Sequence, residues 1–349
     1  MSVFSEFGLV FGSYLAKKEH YDIALCEKGG SEKRVVFVGK MVKGMERLYY
    51  QRLKVFQILC NVIHQNIVSV FSVVEKEDCF FAEMEYCDGQ SLQEVLMESG
   101  VLMDKSIQSV FHQVCSGISH LHSHGIAHLN VTPDHIVFVS RSQVKIIGFG
   151  HSIIGIDDSR ENYDGTIAYA PPEAITHKLF LPSNADIWSL GVLLYVISVG
   201  KIPWRTDSLN DTLHQISKCA FKVPNSITSQ CSSIVQSILK VDIEKRIRMT
   251  KLLSDPWLNS GITKEKTTRR NSDAKTINSP TVHHELKPAP LKAIKSSNSI
   301  MKITNDIVPP PQPESPVKNR LTRSSSLVVK NFPKMSKEIP NSSILVSEP

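Results

Sequence analysis

The segment IAHLNVTPDHIVF, residues 126–138, has the form of a loop that could hold a proton-accepting carboxylate and a metal-binding amide. Such a pair would serve phosphoryl transfer, because the carboxylate takes the proton of an attacking hydroxyl and the amide helps to hold magnesium on the phosphates. However, Asn130 stands where the acid is expected, and His135 stands where the amide is expected. A neutral amide cannot accept a proton as a carboxylate does. The segment therefore resembles a catalytic loop without its two reacting groups.

The elements that could position this loop follow from the apolar periodicity of the sequence. The run 35–42 is rich in β-branched residues and predicts a strand, while 46–63 has apolar residues near helical spacing. Residues 106–125 predict an amphipathic helix that ends at Gly125. Residues 185–200 are apolar almost all round, which predicts a buried helix.

Motifs in a fixed order indicate a family. They are HQNIVSVF (64–71), MEYCDGQSL (84–92), HSHGIAHLNVTPDHIVF (122–138), GTIAYAPPEAI (165–175), ADIWSLGVLLY (185–195) and DIEKRIRMTKLLSDPWL (242–258). Over residues 12–260 this order resembles the eukaryotic protein kinase domain, most closely its calcium/calmodulin and AMP-activated branch. The resemblance implies an α+β, bilobal fold with a small β-rich N-lobe at 12–86 and a large helical C-lobe at 87–260. Residues 1–11 would form an N-terminal extension.

The resemblance implies a degraded nucleotide site. The three glycines that cover the phosphates in the family fall on Ala16, Lys18 and Tyr21, whose side chains stand where the backbone should approach the phosphates. The lysine that grips the phosphates is present as Lys40, but its glutamate partner falls on Val55, which cannot hold an ammonium group. We expect no resident cofactor, or ATP bound weakly and without metal. The implied nucleotide contacts are Ile23, Val38, Lys40, Met84, Glu85 and Val137.

The metal site and the phosphorylation switch are also replaced. Gly148 stands at the position of the family's bridging-metal aspartate, and Thr132 stands at that of the catalytic-loop lysine. Magnesium needs hard oxygen ligands, and neither Gly148 nor His135 supplies one, so no metal site is expected. The phosphorylated threonine of AMP-activated relatives falls on Asn162, and the arginine that receives its phosphate falls on Leu129. We expect no intact catalytic residue.

Positions that brace the family's fold are retained. Glu173 is expected to pair with Arg246 inside the large lobe, and Asp186 to cap the buried helix and hold the catalytic-loop backbone. The residues expected to form an internal hydrophobic column are Leu59, His128 and Phe149. The losses are therefore selective for chemistry, whereas random decay would affect both sets.

The C-terminal segment 261–349 differs in composition from the rest. It holds 15 basic and 7 acidic residues, a balance of +8, whereas residues 1–260 carry −2. It is rich in Ser, Thr, Pro and Lys and poor in apolar residues, which predicts a disordered basic tail. We therefore interpret the basic charge as a solvated tail rather than a nucleic-acid site. Possible phosphorylation sites in it are Ser272, Ser279, Ser315, Ser324 and Ser326.

No apolar run is long enough to span a membrane, and no signal peptide is evident. Seven scattered cysteines without a CxxC pair indicate reduced thiols and an intracellular location, cytoplasmic or nuclear.

Two principal hypotheses of function follow. The first is a pseudokinase that acts as a scaffold or regulator in phosphorylation signalling, with other proteins as partners: kinases, one of them active, and readers of phosphorylated motifs. The alternative is a weakly active or non-standard ATP-dependent serine/threonine kinase, which the retained Lys40 favours. A sensor that binds ATP without metal is a third hypothesis, and a tail that binds nucleic acid is a remote fourth.

Overall fold

A computed structural model describes residues 3–260 apart from residue 177. The possible phosphorylation sites at Ser272, Ser279, Ser315, Ser324 and Ser326 lie outside the described residues, as does the whole of 261–349. Among the described helices, none combines the length and the apolar character needed to cross a membrane.

The N-terminal part is a five-stranded antiparallel sheet with strand order β1-β2-β3-β5-β4. A short helix, α1, precedes the sheet, and a longer helix, α2, connects β3 to β4. The elements are α1 (Val3–Glu6), β1 (Leu9–Lys17), β2 (Tyr21–Lys28), β3 (Glu32–Lys40), α2 (Glu46–Leu59), β4 (Val70–Lys76) and β5 (Cys79–Glu85).

Both faces of this sheet are covered, since successive strand residues point to opposite faces. The inner face packs against α2 and the helical part of the chain, through residues that include Phe37 and Phe80. The outer face buries a separate cluster in which Phe4 of α1 packs edge-on against Phe81 of β5 at 6.0 Å. Residues 3–11, placed by the sequence analysis before the domain, thus form α1 and the start of β1 and cover the outer face.

The C-terminal part is mainly helical and carries two short antiparallel strand pairs, β6 with β9 and β7 with β8. The strands of the C-terminal part are β6 (Ile126–Ala127), β7 (Ile136–Phe138), β8 (Val144–Ile146) and β9 (Ile153–Ile154). Its helices are α3 (Leu92–Ser99), α4 (Asp104–Ser123), α5 (Pro172–Ile175), α6 (Pro182–Val199), α7 (Leu209–Lys218), α8 (Ser229–Ile238), α9 (Met249–Leu253) and α10 (Pro256–Ser260). The predicted α+β arrangement, a β-rich N-terminal part followed by a helical part, is confirmed.

Local chemistry explains several of these boundaries. Ser91 and Glu94 form a reciprocal capping box at the start of α3, which satisfies backbone N–H groups that the helix leaves free. Helix α6 is buried over almost its whole length and ends at Gly200, whose φ of +78° favours glycine. Helix α6 thus forms the centre of the helical part, as its apolar sequence predicts.

A buried ion pair connects the segment around α5 to the region before α9. Arg246 donates to both carboxylate oxygens of Glu173, at 2.7 and 2.9 Å, and both side chains are almost fully buried. Arg246 also donates to the carbonyl oxygens of Lys240 and Asn184. The guanidinium group is therefore well supplied with acceptors, as a buried charge requires.

Candidate functional site

The loop between β6 and β7 is held by one buried carboxylate. Asp186 accepts hydrogen bonds from the backbone N–H groups of His128, at 2.8 Å, and Leu129, at 2.7 Å. These contacts hold Leu129 at a φ of +59°, a conformation that non-glycine residues rarely adopt. Asp186 does not cap α6, however, because that helix begins at Pro182 with Leu181 at its N-cap. Its contribution is to fix the shape of the loop.

His128 is a structural residue of this loop. Its ring packs edge-on against Phe149, with centroids 5.2 Å apart, and its Nε2–H donates to the carbonyl oxygen of Ile147 at 2.9 Å. Leu59 is buried in the same core cluster as Phe149. Burial, with a smaller contribution from His135, lowers the pKa of His128 to about 4. The imidazole is therefore neutral near pH 7, and the contact of His128 with Phe149 is present.

The side chain of Asn130 is engaged by the segment that precedes α5. Its Oδ1 accepts hydrogen bonds from the hydroxyl of Thr166, at 2.8 Å, and from the backbone N–H of Thr166, at 3.2 Å. The residue is 5% exposed. Asn130 thus binds neighbouring polar groups as an acceptor, but as an amide it offers no base for a substrate proton.

The imidazole ring of His135 lies where a side chain at position 148 would be. The Nδ1 of His135 lies 2.9 Å from the carbonyl oxygen of Asn130 and 3.3 Å from the hydroxyl of Thr132, which fixes the ring. A Cβ atom added to Gly148 would lie 2.3 Å from Cδ2 of that ring. Gly148 also has a φ of +86°. An imidazole therefore fills the volume that a metal-binding side chain at 148 would need, and the described residues contain no cluster that could hold a metal ion.

Val55 is fully buried in the core and does not reach the cleft. The side chain that does reach it from α2 is Arg52, one turn earlier, which is 2% exposed. Its Nε donates to the carbonyl oxygen of Gly150 at 2.7 Å, and its guanidinium group lies over the ring of Tyr21 at 5.2 Å. The sequence analysis missed Arg52. The available signal was its place on the same helical stripe as Val55 and Leu59, where an arginine is unexpected.

Tyr21, at a position expected to be glycine, reaches into the cleft. Its ring stacks on Phe37 with centroids 4.9 Å apart. Atoms of both rings lie about 3.5 Å from the point where a Cβ atom on Gly150 would be. Aromatic side chains therefore close the space between the β1–β2 turn and Gly150, where the family's phosphates would be covered by backbone alone.

Lys40 and Val38 lie on the outer face of the sheet, which corrects the expectation that they line the nucleotide cleft. Val38 is directly opposite Asp22 in the β2–β3 ladder and packs in the outer-face cluster. Lys40, two residues further, shares that face with its opposite neighbour Cys79. Its ammonium group lies 2.8 Å from Oδ1 of Asp22 and donates to the carbonyl oxygen of Lys18 at 2.9 Å. Lys40 thus stabilises the β1–β2 turn from outside the cleft.

The remaining residues implied as nucleotide contacts are two on the inner face of the sheet, one at the end of β5 and one in β7. Ile23 is opposite Phe37 in the ladder and packs against the main core, as does Met84. Val137 is buried. The carboxylate of Glu85 is held 2.6 Å from the ammonium group of Lys145, and although burial raises its pKa, this contact lowers it overall. The cleft therefore keeps an apolar wall but not the lysine of the expected site.

Asp164 lies among three basic side chains, those of Arg52, His151 and His20. Nδ1 of His151 is 3.2 Å from Oδ2 of Asp164, and Nη2 of Arg52 is 3.8 Å from the same oxygen. Nη2 of Arg52 and Nδ1 of His20 are buried and have no hydrogen-bond partner among the described residues. Burial, and next the charge of Arg52, lower the pKa of His20. Burial would raise the pKa of Asp164, but His151 and Arg52 lower it overall.

Leu129 lies in an apolar cluster where an arginine would receive a phosphate. Tyr163 of the segment before α5 packs edge-on against Phe180, and its hydroxyl donates to the carbonyl oxygen of Leu129 at 3.1 Å. Asn162 is exposed. Apolar contacts therefore hold this segment without a phosphate. The cluster contains Ala127, Leu129, Ala174, Phe180 and Ala185, with Ile153, Ile156 and Tyr163 packed against it.

Comparison with known proteins supports the family resemblance. Residues 30–258 match the model of the protein kinase domain, so the match begins after β2 and excludes the degraded β1–β2 turn. The chain is 27% identical over 228 residues, 65% of its length, to probable serine/threonine-protein kinase MARK-A of Dictyostelium discoideum, of which it covers 21%. It is 31% and 30% identical over 204 residues, 58% of its length, to the maternal embryonic leucine zipper kinases of Xenopus tropicalis and Xenopus laevis.

The chain covers 31% of each of the two Xenopus relatives and so spans about a third or less of the curated relatives named here. The family model, in contrast, matches more than half of this chain. The two-part fold, the ordered motifs and this match lead to one conclusion: the chain belongs to the protein kinase domain family.

Proposed function

We propose that this protein is a catalytically impaired member of the family, which acts as a protein-binding scaffold or allosteric regulator in phosphorylation signalling. The observation that carries the proposal is the contact between His135 and Gly148. Because a Cβ atom at 148 would lie 2.3 Å from the imidazole, the position cannot carry a metal-binding side chain while His135 keeps its place. Magnesium would lack both of its protein ligands, and phosphoryl transfer depends on that metal.

Two further observations support impaired catalysis. Asn130 replaces the expected proton acceptor, and positioning such a base accelerates proton transfer by about 10²–10⁴-fold. Lys40 is paired with Asp22 on the outer face of the sheet. The retained lysine, which favoured an active kinase, therefore gives no support to that alternative. The bracing contacts are intact: Asp186 holds the loop backbone, and Glu173 pairs with Arg246.

A binding role fits this combination of a maintained fold and altered cleft. The segment before α5 is held by the Leu129 cluster and the Tyr163 hydrogen bond, so its shape does not depend on a phosphate at 162. That segment and the surface of the helical part would present a constant face to protein partners, which we expect to be kinases or readers of phosphorylated motifs. All seven cysteines are free thiols, which supports our expectation of a reducing, intracellular compartment.

The decisive test is phosphoryl transfer from radiolabelled ATP by the purified full-length chain, with Mg²⁺ or Mn²⁺ and a general protein acceptor. We expect incorporation no greater than that of the heat-denatured chain. Incorporation above that background would contradict the proposal. In that case the chain would be a weakly active, non-standard kinase, and Asp164→Asn would test whether this carboxylate, which contacts Arg52 and His151, had replaced the missing base.

A further inference from the structure

Residues 3–8, which comprise α1 and the turn after it and are called here the cover segment, lie on the outer face of the sheet. Phe4 packs edge-on against Phe81 with ring centroids 6.0 Å apart, and Phe7 packs against the same ring at 5.7 Å. Phe4 and Phe7 are three positions apart, so they project from one side of the helical turn. The backbone N–H of Phe7 donates to the carbonyl oxygen of Phe4 within the cover segment itself. Aromatic side chains therefore attach this segment to the sheet.

An ion pair adds a charge preference to this attachment. The ammonium group of Lys76 donates to both carboxylate oxygens of Glu6, at 2.8 and 2.6 Å. The two side chains are 35% and 49% exposed, and an exposed ion pair contributes little to stability. Its sign still discriminates, because a basic residue in place of Glu6 would be repelled by Lys76. The outer face thus favours an acidic residue between two aromatic ones.

The cover segment leaves apolar parts of the outer face exposed. Val74 of β4 is directly opposite Phe81 in the β4–β5 ladder, so both side chains share this face, and Val74 is 38% exposed. On the other edge strand, Tyr14 packs against Phe11 with centroids 4.8 Å apart and is 42% exposed. Phe11 itself packs against the outer-face cluster. The apolar surface therefore continues past the cover segment toward both edges of the sheet, and such a surface is typical of an interaction site.

We propose that the outer face is a docking surface for a segment of another protein, which binds in place of the cover segment. The partner segment carries two aromatic residues three positions apart with an acidic residue between them, the chemistry that this surface already accepts from its own chain. A tethered cover segment competes at an effective concentration of roughly millimolar. The partner must therefore gain contacts that the cover segment lacks, and Val74 and Tyr14 offer them. The proposal concerns a different surface from the segment before α5, and it does not depend on whether the chain transfers phosphate.

The test uses a fluorescent peptide of residues 2–8, SVFSEFG, and fluorescence anisotropy. The full-length variant with Phe4→Ala and Phe7→Ala removes the rings that occupy the surface. We expect this variant to bind the peptide at least tenfold more tightly than the unmodified chain, in which the tethered segment competes. A peptide with alanine in place of both phenylalanines should not bind.

A charge exchange tests the position of the bound peptide. In the chain with both phenylalanines replaced, Lys76→Glu should weaken binding by roughly two- to fivefold, as expected for an exposed ion pair. A peptide that carries Glu6→Lys should recover this loss. Lys54→Glu is the matched control, because Lys54 is exposed on α2, which packs on the inner face of the sheet. This control variant should bind the original peptide unchanged.

Circular dichroism and a thermal melt show that each variant is folded. Glu6→Lys provides a second way to loosen the cover segment while both of its rings remain, and it should bind the peptide more tightly than the unmodified chain does. Absence of binding by both loosened variants would overturn the proposal, as would equal binding by the unmodified chain or by the peptide without phenylalanine. Concentration-dependent dimerisation of the unmodified chain that the replacement of Phe4 and Phe7 abolishes would show instead that a second copy occupies the surface.

Discussion

The imidazole of His135 lies over Gly148, so that a Cβ atom at 148 would come within 2.3 Å of the ring. The two replacements are therefore one structural unit: the larger side chain at 135 is compatible with the fold because the residue at 148 has none. A return to metal binding would require both positions to change together.

This coupling can be measured. Gly148→Asp should lower the free energy of unfolding by roughly 2–5 kcal/mol, because it adds overpacking to a strained positive φ. His135→Asn in the same chain removes the overpacking but not the strain, so the double variant should recover about 1–3 kcal/mol relative to the sum of the single changes. Urea denaturation of the four proteins gives the coupling energy. Additive effects would show that the ring and the new side chain avoid each other.

Removing one partner of the Glu173–Arg246 ion pair should destabilise the fold more than replacing both partners with apolar residues. Glu173→Gln leaves the buried guanidinium of Arg246 without its carboxylate and should cost about 3–5 kcal/mol. Replacing both residues, with Glu173→Leu and Arg246→Met, should cost less than this single change, because no unpaired charge remains buried. The comparison uses unfolding in urea. A double variant less stable than Glu173→Gln would mean that the bonds from Arg246 to backbone carbonyls contribute more than the ion pair.

His128 should make stability depend on pH. Its pKa is about 4 in the folded protein and about 6.5 when unfolded. Between these values the unfolded chain binds more protons, so stability is complete above about pH 6.5 and falls as the pH drops toward about 4. His128 can contribute at most about 1.4 kcal/mol per pH unit to the slope of the free energy of unfolding against pH.

The control for this prediction is His128→Gln, which keeps a neutral donor toward the carbonyl of Ile147. Its stability should fall less steeply over the same range. His135 also has a pKa lowered by burial, and Asp186 and His151 act on His128 as well. The difference between the two proteins isolates the contribution of His128. Parallel curves would show that His128 is not the group that titrates.

The Leu129 cluster should determine the order of the segment before α5. Leu129→Ala removes a side chain that is 3% exposed and should cost about 2–4 kcal/mol. Cleavage by a protease within residues 153–166 should become faster, while treatment with a phosphatase should leave it unchanged. Leu209→Ala, at a leucine that is 45% exposed, is the control. Equal cleavage of both variants would show that other contacts hold the segment.

The sequence predicted those features that depend on local pattern or on a complete motif. The C-terminal ends of α4 and α6, the contact of His128 with Phe149 and the Glu173–Arg246 pair follow from glycine at helix ends and from ordered motifs. For these features the sequence neighbours carry most of the information.

The features that it missed depend on register or on distant contacts. The family resemblance implies that Lys40 lies in the cleft, but a shift of one residue along a strand moves a side chain to the opposite face. The pairing of Val38 with Asp22 decides this, and sequence spacing does not show it. The bond from Arg52 to Gly150 joins residues 98 positions apart, so only the folded chain reveals it.

That bond also has a consequence for motion. Arg52 on α2 contacts Tyr21 from the sheet and Gly150 from the helical part, so a single side chain joins both halves of the chain. The halves can separate only when this bond breaks and water reaches a guanidinium that is now 2% exposed. Widening of the cleft, rather than diffusion in solution, should therefore set the rate at which any small molecule enters it.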